Sequence, residues 1–127
     1  MMNIAICNGD AQCSRQIEDV IKSINAEFGD KFDFRTFPDA RSLSNSEWHF
    51  DIAILGIGKV DGIRLAQSLQ KADSHLITLF VTSHYEHLDS AFEIGAFRFL
   101  SKPLDTERLT DSLLRAYDKI KNSSDFI

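Results

Sequence analysis

Three short runs in this chain are apolar at nearly every position. Asn3 to Cys7, Ile52 to Leu55 and Leu76 to Val81 are rich in Ile, Leu and Val and show no alternation with polar residues. A strand of that kind must be covered on both faces, which is the condition of a central strand in a parallel sheet. Two weaker patterns flank them. Phe32, Phe34 and Thr36 alternate with Asp33, Arg35 and Phe37, while Phe97, Phe99 and Leu100 surround Arg98, as expected of edge strands.

Helical periods lie between the strands. Cys13, Ile17, Val20, Ile21, Ile24 and Phe28 follow the i, i+3, i+4, i+7 rule. Leu109, Leu113, Tyr117 and Ile120 give the last helix its stripe, opened by Asp105 as N-cap after Pro103. Ser83 and Glu86 read as a capping box before Leu88, Ala91 and Phe92, with Gly95 placed to end that fourth helix. Asp61 is the expected cap of a helix carrying Ile63, Ala66 and Leu69. From Pro38 to Trp48 the serines and Asn45 favour turns, so only a short or irregular helix is expected there.

Strand and helix alternate five times along the 127 residues. That is one domain of the α/β class, a (βα)5 doubly wound three-layer sandwich with right-handed crossovers. Residues 1–121 are read as the domain and residues 122–127 as a polar C-terminal tail, the start of a linker if the parent chain is longer. A net charge of -5 argues against nucleic-acid binding by this domain alone. The start lacks the pattern of a signal peptide and no apolar run is long enough to cross a membrane, so a cytoplasmic protein without membrane contact is expected. The two cysteines, Cys7 and Cys13, have no partners at zinc spacing and read as reduced, buried thiols.

In open α/β sheets function sits at the carboxyl ends of the strands. Asn8, Gly9 and Asp10 follow the first strand, Gly56, Ile57 and Gly58 the third, Thr82 the fourth, and Lys102 and Pro103 the fifth. The segments NIAICNGD, FDIAILGIGKVDGIRLA and LFVTSHYEHLDSAFEIGAFRFLSKPLD together resemble the receiver domain of bacterial response regulators, particularly the LytTR-type branch. The likeness covers nearly the whole chain and implies a five-stranded parallel sheet of order 2-1-3-4-5, the flavodoxin-like or CheY-like fold.

The resemblance also implies roles. Thr82 and Lys102 match the family's hydroxyl and lysine positions, and Phe99 falls at its switch aromatic. A working receiver carries an acidic pair after the first strand and an aspartate ending the third; here those places hold Asn8, Gly9 and Gly56. Asp10 stands where it would cap the first helix, and Lys102 must then find Asp10, a carbonyl or solvent. The expectation is a degenerate phosphorylation pocket formed by Asn8, Gly9, Asp10, Gly56, Thr82 and Lys102, with no catalytic residue, no metal and no cofactor.

Function follows as an expectation of the same resemblance. A pseudo-receiver would act through a protein partner or a second copy, on a face built from the fourth helix, fifth strand and fifth helix that includes Tyr85, His87, Phe99 and residues from Asp105 to Asp118. LytTR-type chains usually continue into an output DNA-binding domain. The alternative is a regulatory module that binds a small molecule or anion in the vacated pocket near Thr82 and Lys102. A flavin enzyme is disfavoured because Asn8 to Ser14 lacks closely spaced Ser or Thr for a flavin phosphate. Gly56 to Lys59 lacks the GxxxxGK[ST] spacing of a phosphate loop. His84 and His87 share a helical face but have no third ligand at metal spacing, and exposed helix-start side chains explain them.

Overall fold

A computed structural model describes residues 1–56, 61–83 and 95–124. The elements are β1 (Met2–Cys7), α1 (Ala11–Phe28), β2 (Phe32–Phe37), α2 (Ala40–Ser44), β3 (Ile52–Gly56), α3 (Asp61–Ala72), β4 (Ile77–Thr82), β5 (Arg98–Ser101) and α4 (Thr106–Ser124). The five strands form one sheet in the order β2-β1-β3-β4-β5, all pairings parallel. The apolar runs therefore occupy the centre and the alternating ones the edges, as their patterns require.

Period-two geometry divides the central strands between two cores. On one face Ile4, Ile6, Ile52, Ile54, Leu79 and Val81 pack with Ile17, Ile21, Leu109 and Leu113 of α1 and α4. On the other, Ala5, Ala53, Leu55 and Phe80 pack with Leu43 of α2 and with Ile63 and Ala66 of α3. Each buried Ile or Leu contributes about 1.5–3 kcal/mol of transfer free energy, so this two-sided burial dominates the sheet's stability.

The helix ends follow their expected chemistry. Asp10 caps α1 by accepting from the backbone N–H groups of Gln12 and Cys13. Asp105 accepts from the Arg108 N–H at 3.1 Å and opens α4. Asp39, which the serine-rich stretch concealed, caps α2 through the Ser42 N–H at 2.7 Å, and Leu43 anchors that short helix in the core. Helix α3 starts at Asp61 itself; the Asp61 side chain lies outside the described residues.

Two details add to the sequence reading. Phe28, the last member of the α1 stripe, is 46% exposed, because it sits in the final turn, where the chain is about to leave the helix at Gly29 (φ 90°). Helix α4 runs through Ser124, beyond residue 121 where the domain was expected to end. The expected fourth helix, with Ser83 to Glu86 as its capping box, falls largely in 84–94, outside the described residues, although Gly95 does take the left-handed φ of 77° expected of a helix terminator. Among the described residues no helix is long and apolar enough to cross a membrane.

Candidate functional site

The strand register determines which residues meet at the carboxyl edge. Cys7 lies opposite Leu55, Gly56 opposite Val81, and Thr82 opposite Ser101. Asn8, Gly56, Thr82 and Lys102 are thus delivered to one rim by four adjacent strands.

The turn after β1 is organised by side chains. Asn8 Oδ1 accepts from the Asp10 N–H at 3.1 Å, an Asx turn, and the Asn8 carbonyl accepts from Ser14 Oγ at 3.4 Å. Asp10 then divides its two oxygens. Oδ1 accepts from Gln12 N–H at 3.0 Å and Cys13 N–H at 3.2 Å, while Oδ2 faces Lys102 Nζ at 3.5 Å. The N–H of Cys13 is the main reason the Asp10 carboxyl is held below its ordinary pKa; Lys102 reinforces it and partial desolvation opposes it. One carboxylate thus makes both the cap of α1 and the contact with Lys102, for which Asp10 was one of three expected partners.

Thr82 ends β4 almost wholly buried, and its carbonyl accepts from the Lys102 N–H at 3.1 Å. The Lys102–Pro103 peptide bond is cis. Phe99 is partly buried and stacks on Phe80 with ring centroids 5.5 Å apart and planes 25° apart, on the sheet face that α2 and α3 cover.

The space where a side chain at 56 would begin is taken by Asn8. A Cβ built on Gly56 would stand 2.8 Å from Asn8 Oδ1 and 3.0 Å from its Cγ, whereas one on Gly9 would meet nothing within 4 Å. Asn8 Nδ2 is buried without a well-formed hydrogen bond among the described residues, and the Asn8 side chain lies close enough to the Cys13 thiol to oppose the rise in its pKa. Ser14, buried beneath the Asn8 carbonyl, is a member of the site that sequence reasoning passed over. Its only sequence signal is a serine in an otherwise apolar helix stripe.

Among the described residues no group of three or more His, Cys, Asp or Glu could hold a metal ion. Ile57, Gly58, Lys59, His84, Tyr85 and His87 lie outside the described residues. Cys7 and Cys13 are free and buried, and burial raises both thiols, with Asp39 adding to the effect on Cys7.

The 2-1-3-4-5 parallel sheet has counterparts among known proteins. The response regulator receiver domain model matches residues 4–114, and the chain belongs to that family. It is 35% identical over 78 residues to the sensory transduction protein LytR of Staphylococcus epidermidis, covering 58% of this chain and 31% of that protein. It is 34% identical over 59 residues to the transcriptional regulatory protein YpdB of Escherichia coli, covering 46% of this chain and 24% of that protein. The chain thus spans less than a third of the length of these curated relatives. Among solved structures, a CheY-like receiver domain protein from Methanospirillum hungatei superposes with a TM-score of 0.82 at 17% identity, covering 97% of this chain and 98% of that one. The BeF3-activated DrrB receiver domain gives a TM-score of 0.79 at 20% identity, covering 93% and 99%. The receiver fold expected from the sequence is the fold observed, and the domain belongs to two-component signalling.

Proposed function

We propose that this domain is a pseudo-receiver: it transmits a signal through protein contact, without phosphorylation of an aspartate at the end of its third strand. The observation that carries the reading is Gly56. It ends β3 at the rim and offers no side-chain atom to attack phosphorus.

The neighbouring donors support the same conclusion. Mg²⁺ takes hard oxygen ligands, commonly one or two carboxylates with water and phosphate. Asn8 supplies a neutral oxygen already bonded to the Asp10 N–H, Gly9 supplies no side chain, and Asp10 is engaged by a helix terminus and Lys102. This donor set does not fit the metal that receiver phosphorylation needs.

The test is incubation with acetyl phosphate and Mg²⁺ followed by intact mass spectrometry. No added phosphate is expected; stoichiometric addition of one phosphoryl group refutes the reading.

By family analogy the contact surface is the face of β5 and α4 together with the segment before β5, and the partner is a signalling protein, an output domain of a longer chain, or a second copy. Self-association measured by sedimentation should be indifferent to beryllofluoride and sensitive to charge reversal at Arg108 or Arg115.

A second reading is a module that binds a small anion near Thr82 and Lys102, where the buried Asn8 Nδ2 has no well-formed hydrogen bond among the described residues. Against it, Asn8 takes up space beside Gly56 and Asp10 already faces Lys102. A thermal-shift screen separates the two, since a native-state ligand raises apparent stability by mass action.

A further inference from the structure

We infer that Asn8 and Gly56 form an interlocking pair, in which the carboxamide of Asn8 occupies the side-chain position of residue 56 and thereby fixes the Asp10 cap and its contact with Lys102. The degenerate rim is then closed by packing instead of standing empty.

Glycine at 56 is not a backbone requirement. Among the described residues the glycines with left-handed φ are Gly29 and Gly95, so an L side chain at 56 meets no conformational objection. The objection is spatial. A Cβ there would lie 2.8 Å from Asn8 Oδ1, 3.0 Å from Cγ and 3.4 Å from the Asn8 Cα, so rotation of the carboxamide must accompany any larger residue. Gly9 is the internal contrast, since its Cβ would enter open space.

Rotation has consequences along the turn. Asn8 Oδ1 is the acceptor for the Asp10 N–H, and swinging it away leaves that donor without the bond that shapes the turn. Asp10 carries both the cap of α1 and the approach to Lys102, so side-chain volume at the end of β3 is felt in the loop after β5.

The inference stands apart from the question of phosphorylation, and its test uses no phosphoryl donor. Urea denaturation of Gly56→Ala, Asn8→Ala, the double variant and Gly9→Ala forms a cycle with its control. Gly56→Ala should lower the folding equilibrium constant by about tenfold, and by less than about threefold when Asn8 is already alanine, a coupling in the range of contacting residues. Gly9→Ala should stay within about twofold of the parent. By NMR, the Asp10 carboxyl of Gly56→Ala should titrate closer to its ordinary value than in the parent. If Gly56→Ala fails to fold, folding of the double variant supports the pair, and failure of both refutes it. Equal cost of Gly56→Ala in both backgrounds also refutes it, and an unmoved Asp10 titration refutes the link to Lys102.

Discussion

Lys102 Nζ and Asp10 Oδ2 stand 3.5 Å apart across 92 residues of sequence, joining the loop after β5 to the N-terminus of α1. The lysine that the family resemblance assigns to phosphoryl recognition therefore has a carboxylate of the chain's own beside it. Both side chains are partly solvated, so the pair contributes as one of several rim contacts and not as a buried ion pair.

That geometry predicts a pH-dependent effect of Asp10→Asn. The folded carboxyl is held below its ordinary value of 3.8, so its ionisation stabilises the fold at neutral pH, and this increment disappears as pH falls through the lowered folded value. Asparagine keeps an oxygen for the cap but loses the charge facing Lys102. In urea at pH 7 the order of midpoints should be parent, then Asp10→Asn, then Asp10→Ala. The gap between parent and Asp10→Asn should narrow as pH drops below 3.8. A gap that widens on acidification contradicts the assignment.

Asn25 clamps the turn between α1 and β2. Its Oδ1 accepts from the N–H groups of Lys31 at 3.0 Å and Phe32 at 3.1 Å, and its Nδ2 donates to the Phe32 carbonyl at 2.8 Å. Asn25→Ala strands part-buried backbone groups and should cost about 1–3 kcal/mol in urea unfolding. An effect below about 0.5 kcal/mol would mean that water replaces the clamp.

How far the sequence carries can be judged from such residues. Ile4, Ile54 and Leu79 announce a two-faced strand because burial on both sides erases polar alternation, and that local signal was enough for sheet order once the family segments were aligned. The caps at Asp10 and Asp105 were legible because capping is a contact within a few residues. Asp39 was missed because Ser42, Ser44, Asn45 and Ser46 compete for the backbone in several turn conformations, and only the burial of Leu43 decides among them. The Asn25 clamp and the packing of Asn8 against Gly56 were illegible for a different reason. Each depends on where the fold brings a distant segment, and a glycine at 56 reads in sequence as a missing side chain, not as space already used.

The thiols of Cys7 and Cys13 are 9% and 4% exposed, and burial raises both above their ordinary value of 9.0. Neither should react with iodoacetamide at pH 8 in the native protein, and both should react in denaturant. The sign of the linkage is also fixed. The unfolded thiols ionise at lower pH than the folded ones, so stability should fall as pH rises above 9.0. Rapid labelling of one native thiol by mass spectrometry would place it outside the core.

The last prediction concerns rebuilding a phosphorylation site, and the packing around Asn8 decides its order of steps. Gly56→Asp alone should not become phosphorylated by acetyl phosphate. The new Cβ meets Asn8 Oδ1 at 2.8 Å, so the carboxylate must displace the carboxamide before it can reach the rim. Even then the metal lacks anionic oxygen, and the added carboxylate competes with Asp10 for Lys102. Asn8→Asp with Gly9→Asp supplies the missing charge, and the open space at Gly9 admits a side chain without rearrangement. The triple variant should bind Mg²⁺. Three added carboxylates close to Asp10 repel one another, so it should unfold at lower urea than the parent without metal and recover when millimolar Mg²⁺ is added. Urea titrations with and without Mg²⁺, together with intact mass after acetyl phosphate, decide the matter. Phosphorylation of the single variant as readily as the triple would show that the acidic pair is dispensable here, and a triple variant whose stability ignores Mg²⁺ would show that these positions do not converge on one metal.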